Sequence, residues 1–206
     1  MDQCVPFYMM LFADDYGNFL KASYKEQWSH LTNGRGIGFT EWSSVPRIFT
    51  TDIGKASSSY RILQKLVDKM KYINFDILSF FYAKDDVSAL LYVKEHARSV
   101  YFMKGGSLFL LCTFVGQVSV LSAKKDHRHL AHLPLMALSD ILYEEKLITS
   151  NNIQKVQDIA TTINIQYAKL EEPYPMTGNR TTPGRALEPF LDELYTLWTG
   201  KCYSKQ

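Results

Sequence analysis

Gly105 and Gly106 stand between two long apolar runs, and this arrangement narrows the possible folds more than any other stretch of the chain. Paired glycines tolerate the positive φ angles of a two-residue turn and are therefore typical of a β-hairpin. The pattern predicts strands at 99–104 and 107–121, joined by a tight Lys-Gly-Gly-Ser turn.

Further strands are predicted where short apolar segments are bounded by turn-forming residues. The segment VPFYMMLFADDYGNFLKASY favours two strands, the first at 7–12, around a turn built by its Asp, Gly and Asn residues. Another strand is predicted at about 75–83. The segment 86–97 fits either a helix capped by the preceding aspartates or a strand, and we favour the strand. Residues 27–57, rich in Gly, Ser and Thr, predict a long loop with one short strand near 47–50.

Three segments instead have apolar residues at helical spacing. The first, 61–71, follows a serine cap and has the apolar face Ile62, Leu63, Leu66, Val67 and Met70. The second begins near Pro134 and has the stripe Leu135, Leu138, Ile141 and Leu142. The third follows Ser150 and has Ile153, Val156, Ala160 and Ile163 facing inward. Together with the strands, these helices predict an α+β fold: an antiparallel sheet of about five strands packed by helices.

The C-terminal part of the chain has a different composition. Residues 171–185 contain three prolines and two glycines, which indicates a linker after an α+β domain that covers 1–170. Beyond the linker, residues 186–206 predict a helix that ends near Gly200. Its apolar stripe is Phe190, Leu191, Leu194, Leu197 and Trp198. This stripe is too apolar to face water, so Phe190, Leu194 and Trp198 are candidate partner-binding residues.

Composition limits the class and compartment of the protein. The chain has 206 residues, 46% of them hydrophobic, which is enough for a core without disulfide or metal staples. The net charge of +2 gives no strong field for nucleic acid, which is not an expected partner. Three widely spaced cysteines suit a reducing compartment. No signal peptide is evident, and no stretch approaches the ~18 apolar residues that span a bilayer. We therefore expect a cytoplasmic protein, with contact to a membrane surface as an alternative.

The segment KKDHRHLAHL, residues 124–133, holds three of the five histidines and is the strongest candidate for a chemical site. Zinc needs three or four converging ligands, and the basic residues of this segment would repel a cation, so no metal is expected. Lys124, Lys125 and Arg128 are candidates for binding a phosphate or an acidic lipid headgroup at the entrance of a helix. The alternative interpretation is a solvated turn between a strand and a helix.

Motifs for catalysis and nucleotide binding are incomplete. The glycines of NGRGIGF lack the spacing and the following helix of a dinucleotide site, and TDIGKASSS lacks a glycine and a hydroxyl of a phosphate loop. The pairs Asp14-Asp15 and Asp85-Asp86 lie at predicted turns, and Cys112 lies in an apolar run where a thiol is usually inert. An enzyme is therefore not favoured, and no cofactor is expected.

The order of hairpin, helix, three strands and two helices resembles the longin fold. The segments SVYFMKGGSLFLLCTFVG and LPLMALSDILYEEKLIT are similar to the closing hairpin and following helix of longin domains in trafficking and tethering proteins. The resemblance implies binding without catalysis, to a second longin-like subunit, a small GTPase or a membrane. It carries over no site residue.

The favoured function is thus a non-enzymatic protein-interaction subunit in membrane trafficking or tethering. Two other functions fit the same sequence. One is a viral regulatory or matrix-type protein that acts by self-association and binding of host proteins. The other is a small enzyme with an unrecognised site, which would require a deep pocket with converging polar groups.

Overall fold

Every regular element in the described part of the chain is a helix. The structure, a computed structural model, describes residues 5–28, 47–58, 75–102, 108–149 and 151–171. Its α-helices are α1 (Val5–Tyr24), α2 (Thr51–Ser57), α3 (Ile77–Phe81), α4 (Asp86–Phe102), α5 (Leu108–Lys124), α6 (Leu133–Glu144) and α7 (Ile153–Glu171). A short 3-10 helix, Arg128–Leu130, lies between α5 and α6.

Helix α5 is the centre of the fold. Helices α1, α2, α4 and α6 and the 3-10 helix all pack against it. Thirteen of its residues are buried: Phe109, Leu110, Leu111, Cys112, Thr113, Phe114, Val115, Gly116, Val118, Ser119, Val120, Ser122 and Ala123. Because apolar side chains lie on every side of α5, its sequence shows no amphipathic period.

Helix α6 confirms the helix predicted near Pro134. Pro134 occupies its first turn, where the missing backbone N–H is not needed. The predicted stripe of Leu135, Leu138, Ile141 and Leu142 is buried, and α6 packs against α1, α4 and α5.

Helix α7 confirms the third predicted helix. Ala160 and Ile163 are buried, and Ile153 and Val156 are partly buried against the core. This helix packs mainly on α2, which in turn contacts α1 and α5.

The predicted antiparallel sheet is wrong for the described residues, and with it the longin-like architecture. The run 107–121 forms α5 from residue 108 onward, and the strand expected at 99–104 is the last turn of α4 as far as Phe102. An apolar run of this length exceeds the usual strand of five or six residues. Its length therefore indicates a helix more strongly than the Gly-Gly pair indicates a hairpin.

The predicted N-terminal hairpin is also wrong, because residues 5–24 form the single helix α1. The buried residues Met9, Phe12, Ala13, Tyr16 and Leu20 recur at intervals of three and four, which is the helical period. The turn-forming residues between them lie within the helix, so tertiary burial prevails over their local preference.

Helices replace two further predicted strands. Residues 75–83 contain α3, and 86–97 lie in α4, so the capped-helix alternative that we did not favour is the one observed. Within the predicted loop 27–57, the last seven residues form α2, and 47–50 form no strand.

Close approach between the core helices depends on glycine at two positions. A Cβ atom at Gly17 of α1 would lie 2.7 Å from Leu135 Cδ1 of α6. A Cβ atom at Gly116 of α5 would overlap the hydroxyl of Tyr16, which donates a hydrogen bond of 2.8 Å to the carbonyl of Cys112. A larger residue at either position would require the side chain of Leu135 or of Tyr16 to move.

Several predictions fall outside the described residues. They are the helix at 61–71, the turn at 104–107, the cap at Ser150, and the linker with the C-terminal helix at 186–206 that contains Phe190, Leu194 and Trp198. The domain limit at 170 likewise stays a prediction.

Candidate functional site

Helices α3 and α4 form an antiparallel hairpin on the side of the core. Asp76, at the start of α3, meets Tyr92, which lies two turns into α4. The Tyr92 hydroxyl accepts a hydrogen bond from the Asp76 N–H at 3.0 Å and donates one to the Asp76 carbonyl at 3.3 Å. Because only a few residues join the end of α3 to the start of α4, this contact makes the two helices run in opposite directions.

Aspartate caps define both helices of the hairpin. The Asp76 carboxylate accepts hydrogen bonds from the N–H groups of Leu78 and Ser79, and Asp85 accepts one of 2.7 Å from the Ser88 N–H. A hydrogen bond from the Ser79 hydroxyl is the main reason that the pKa of Asp76 is lowered. The Ser88 backbone does the same for the pKa of Asp85. Both carboxylates therefore act as helix caps.

Aromatic rings anchor the inner side of the hairpin. Phe75 stacks on Tyr92 with ring centroids 5.6 Å apart, and it meets Phe114 of α5 edge-on at 5.0 Å. Phe80 of α3 is fully buried. These contacts hold the hairpin firmly against the central helix.

Five large apolar side chains of the hairpin are exposed: Phe102 at the far end of α4, and four that lie nearer to the connection between the two helices. Leu78 is 56% exposed, Tyr82 76%, Val87 66% and Leu91 61%. We call these four residues the apolar face. Single exposed apolar residues are common on proteins, whereas four close together in sequence on one hairpin are the kind of exposure that binding surfaces show.

Helical geometry explains why these side chains point outward. Two positions apart on a helix correspond to about 200° of rotation. Leu78 and Tyr82 lie two positions from buried Phe80, and Val87 and Leu91 flank buried Ala89 in the same way. Each pair is also four residues apart, so its members are neighbours along one side of their helix.

One border of the apolar face is the turn after α5. The imidazole of His127 stacks on Phe81 at 4.2 Å with an interplanar angle of 14°, and it meets Tyr82 edge-on at 5.9 Å. We call residues 124–129 the basic turn. It contains Lys124, Lys125 and Arg128 together with the acidic Asp126, and its contact with α3 is made by His127.

The candidate anion site at Lys124, Lys125 and Arg128 has a different setting from the one expected. Lys124 is the last residue of α5, so the lysines lie at a helix C-terminus, where carbonyl groups favour cations. The Lys124 ammonium also lies 5.3 Å from the ring centre of Tyr24. Anion binding by these residues stays a prediction, but the helix-entrance argument for it no longer applies.

The carboxylate pairs considered for catalysis have structural partners. Asp15 forms an ion pair of 3.0 Å with Arg47, yet burial raises its pKa. Asp85 caps α4. The Cys112 thiol is fully buried, which raises its pKa to about 12 and leaves it unreactive at neutral pH.

Helix α4 is tied to α6 by ion pairs. Lys94 contacts Asp140 at 3.0 Å and Glu144 at 2.9 Å, and Arg98 also pairs with Glu144. Partial burial lowers the pKa of Lys94, but its bonds to Glu144 and Asp140 outweigh burial and the pKa is raised. These pairs tie α4 to α6 along the same stripe that carries Val87 and Leu91, because Lys94 and Arg98 follow these residues by seven positions, which is two helical turns.

Histidines do not converge on a metal within the described residues, where no group of three possible ligands is found. The ring centres of His127 and His129 are 6.2 Å apart, and His127 stacks on an aromatic ring instead. The Nδ1 atom of His132 is buried without a hydrogen-bond partner, and burial lowers its pKa.

The described helices include none that is both long and apolar enough to cross a bilayer; α5, the most apolar, has 17 residues.

Comparison with known proteins gives no match: no family model, curated protein or solved structure is significantly similar to the chain. The candidate function therefore depends on the geometry of the chain itself.

The sequence analysis missed the apolar face, because it favoured a strand over 86–97 and another at about 75–83. A signal was present nonetheless. Once Asp85 is taken as a helix cap, Ala89, Val93 and Ala97 form the inward row at intervals of four, which leaves Val87 and Leu91 outside.

Proposed function

We propose that the protein is a non-enzymatic interaction module that binds an amphipathic helix of a partner protein on the apolar face. The single observation that supports this best is the exposure of Leu78, Tyr82, Val87 and Leu91 on a hairpin whose opposite side is tightly anchored. A rigid site loses little conformational freedom on binding, which favours affinity.

The spacing of the exposed side chains supports a helical partner. Each pair of the apolar face covers one helical turn, about 6 Å along its axis. A partner helix offers apolar side chains at the same interval when they recur at i, i+4 and i+7, which is the pattern of helix-in-groove recognition. Covering each exposed side chain would contribute about 1–2 kcal/mol.

The kind of partner is narrower than the sequence analysis expected. A second longin-like subunit and a small GTPase were implied by a sheet that the described residues lack, so the proposal does not include them. A role in membrane trafficking rested on the same resemblance. A protein partner remains in the proposal, because the apolar face offers a surface to which it can bind.

The direct test uses a short synthetic helix with leucines spaced three and four residues apart, and a scrambled peptide of identical composition as control. Binding to the full chain is measured by fluorescence anisotropy. The patterned peptide should bind and the scrambled one should not. Leu91→Glu should weaken binding at least about tenfold, because it places a charge in the desolvated contact.

A matched substitution separates this site from the general surface. Tyr143 of α6 is also an exposed large residue, at 48%, and Tyr143→Glu should leave peptide binding unchanged. Equal effects of the two substitutions would rule out the apolar face as the binding site. Binding of the chain to itself, detected by sedimentation equilibrium and lost in Leu91→Glu, would favour the self-association function instead.

A further inference from the structure

We propose that the C-terminal segment 186–206 docks on the apolar face of its own chain and competes there with the partner helix. This inference rests on the proposed function, since it concerns the regulation of the same site. It joins two apolar surfaces: the four exposed side chains of the α3–α4 hairpin and the stripe predicted beyond residue 186.

The predicted stripe is longer than either exposed row of the hairpin and can cover the whole of each. From Phe190 to Trp198 the stripe covers nine residues, which is about 12 Å of helix. The exposed row of α4 from Val87 to Leu91 covers about 6 Å. Leu78 and Tyr82 form a second row on the neighbouring helix, so a segment lying along the hairpin can contact both.

The chain is long enough for this contact. Helix α7 ends at Glu171, and 14 residues, 172–185, separate it from the stripe. Extended, they reach about 46–50 Å, whereas a compact domain of this size has a radius of gyration of only about 15 Å. Any face of the domain is therefore within reach.

The covalent link favours binding of the C-terminal segment over binding of a free partner helix. A segment joined by a short flexible linker experiences an effective concentration of about a millimolar. A free partner must be present above that concentration, or bind more tightly, to displace the segment. The linker composition, with its prolines and glycines, suits such a tether.

Residues 186–199 contain three acidic residues, Glu188, Asp192 and Glu193, and no basic one. On a helix Glu188 and Asp192 lie on the side opposite the apolar stripe, so they stay in water when the stripe is buried. Docking should therefore depend little on added salt.

The first experiment replaces Leu91 in the full chain with the photo-crosslinking amino acid p-benzoylphenylalanine, irradiates dilute protein, and maps the product by mass spectrometry. A crosslink within one chain to a peptide of 186–206 supports the proposal. The same probe at Tyr143, off the face, should give no such crosslink. If Leu91 crosslinks only to a second copy, only to residues 59–74, or to nothing, the proposal is overturned.

The second experiment compares the affinity of the patterned synthetic helix for three full-length proteins. Leu194→Glu with Trp198→Glu disrupts the stripe and should tighten peptide binding about tenfold or more, because the competitor is released. Thr196→Glu with Thr199→Glu adds the same charge on the opposite side of the predicted helix and should change nothing. Equal affinity for all three proteins would overturn the competition.

The two proposals fail in different ways. If the crosslink forms but no peptide binds to any variant, docking of the segment stands and the partner-binding function does not. If the peptide binds equally to the wild type and the stripe variant and no crosslink forms, the function stands and the docking does not.

Discussion

Helix α5 and the α3–α4 hairpin both contain large apolar side chains, but they place them in opposite ways. The buried residues of α5 extend around its whole circumference, including Phe114 at 0% exposure. The hairpin buries one side and leaves Val87 and Leu91 more than 60% exposed on the other. Apolar content alone therefore does not separate the core of this protein from its candidate binding surface; the number of helices packed around each element does.

The contrast also explains where tolerance to substitution should lie. Removing atoms from α5 leaves a cavity that its five neighbouring elements cannot fill. Removing atoms from the outer side of α4 leaves only water. If the apolar face is a binding surface, substitutions in α5 should lower the stability of the protein, whereas substitutions on the apolar face should lower peptide binding.

The largest expected effect is the loss of a ring from the enclosed helix. Phe114→Ala should lower the free energy of unfolding by about 3–5 kcal/mol, because Phe114 is buried and packs on Phe75. Urea denaturation followed by circular dichroism measures this. Leu91→Ala is the matched change on the exposed side and should stay within about 0.5 kcal/mol. Similar losses in both variants would erase the distinction between the regions.

A smaller effect is expected from overpacking the same helix. Gly116→Ala should lower the free energy of unfolding by about 1–3 kcal/mol, because the new methyl group overlaps the Tyr16 hydroxyl. Tyr16→Phe removes that hydroxyl, so the double variant should lose less than the sum of the two single variants. Strict additivity would show that the contact is not the source of the strain.

The third prediction concerns pH and His132, which lies at the entrance of α6. Burial lowers its folded-state pKa below the ordinary value of 6.5, so the unfolded chain binds more protons as the pH falls through 6.5. Stability should decrease in that window, and His132→Gln should make the decrease shallower. Denaturation at pH 7 and 5.5 measures the slope, and between pH 7 and 8.5 the substitution should not alter it. An unchanged slope below pH 6.5 would contradict the assignment.

The smallest expected change in stability accompanies the largest expected change in binding. Leu91→Glu should alter the free energy of unfolding by no more than about 0.5 kcal/mol, because its side chain already faces water. Loss of peptide binding with unchanged stability would mark the face as a binding surface. A loss of stability comparable to that of Phe114→Ala would instead place Leu91 in the core.

The sequence predicted elements with a visible helical period far better than those without one. In α6, Leu135, Leu138 and Ile141 are buried as the spacing indicated. In α5, the same reasoning had no period to use, because nearly every position is apolar. In α1, the period is present at Met9, Phe12, Tyr16 and Leu20, but the Asp, Gly and Asn residues among them locally favour a turn.

The candidate site was less predictable than the helices. Exposure of Val87 and Leu91 follows from which helices pack on α4. The most extensive of these contacts is with α6, which is not adjacent to α4 in sequence. The basic residues Lys124 and Arg128 were recognisable as charged, but the contact of their turn with α3 is made by His127 on Phe81 and follows only from the packed structure.

The sequence by itself determined the amphipathic helices α6 and α7, the near-neutral charge and the incompleteness of every catalytic motif that it contains. Those properties depend on residue type and local spacing, which are the same whatever tertiary structure the chain adopts. Tertiary structure alone decided that the run after Gly106 is an enclosed helix and that one side of α3–α4 stays open. Both outcomes depend on burial by elements distant in sequence, and burial is a property of the packed molecule.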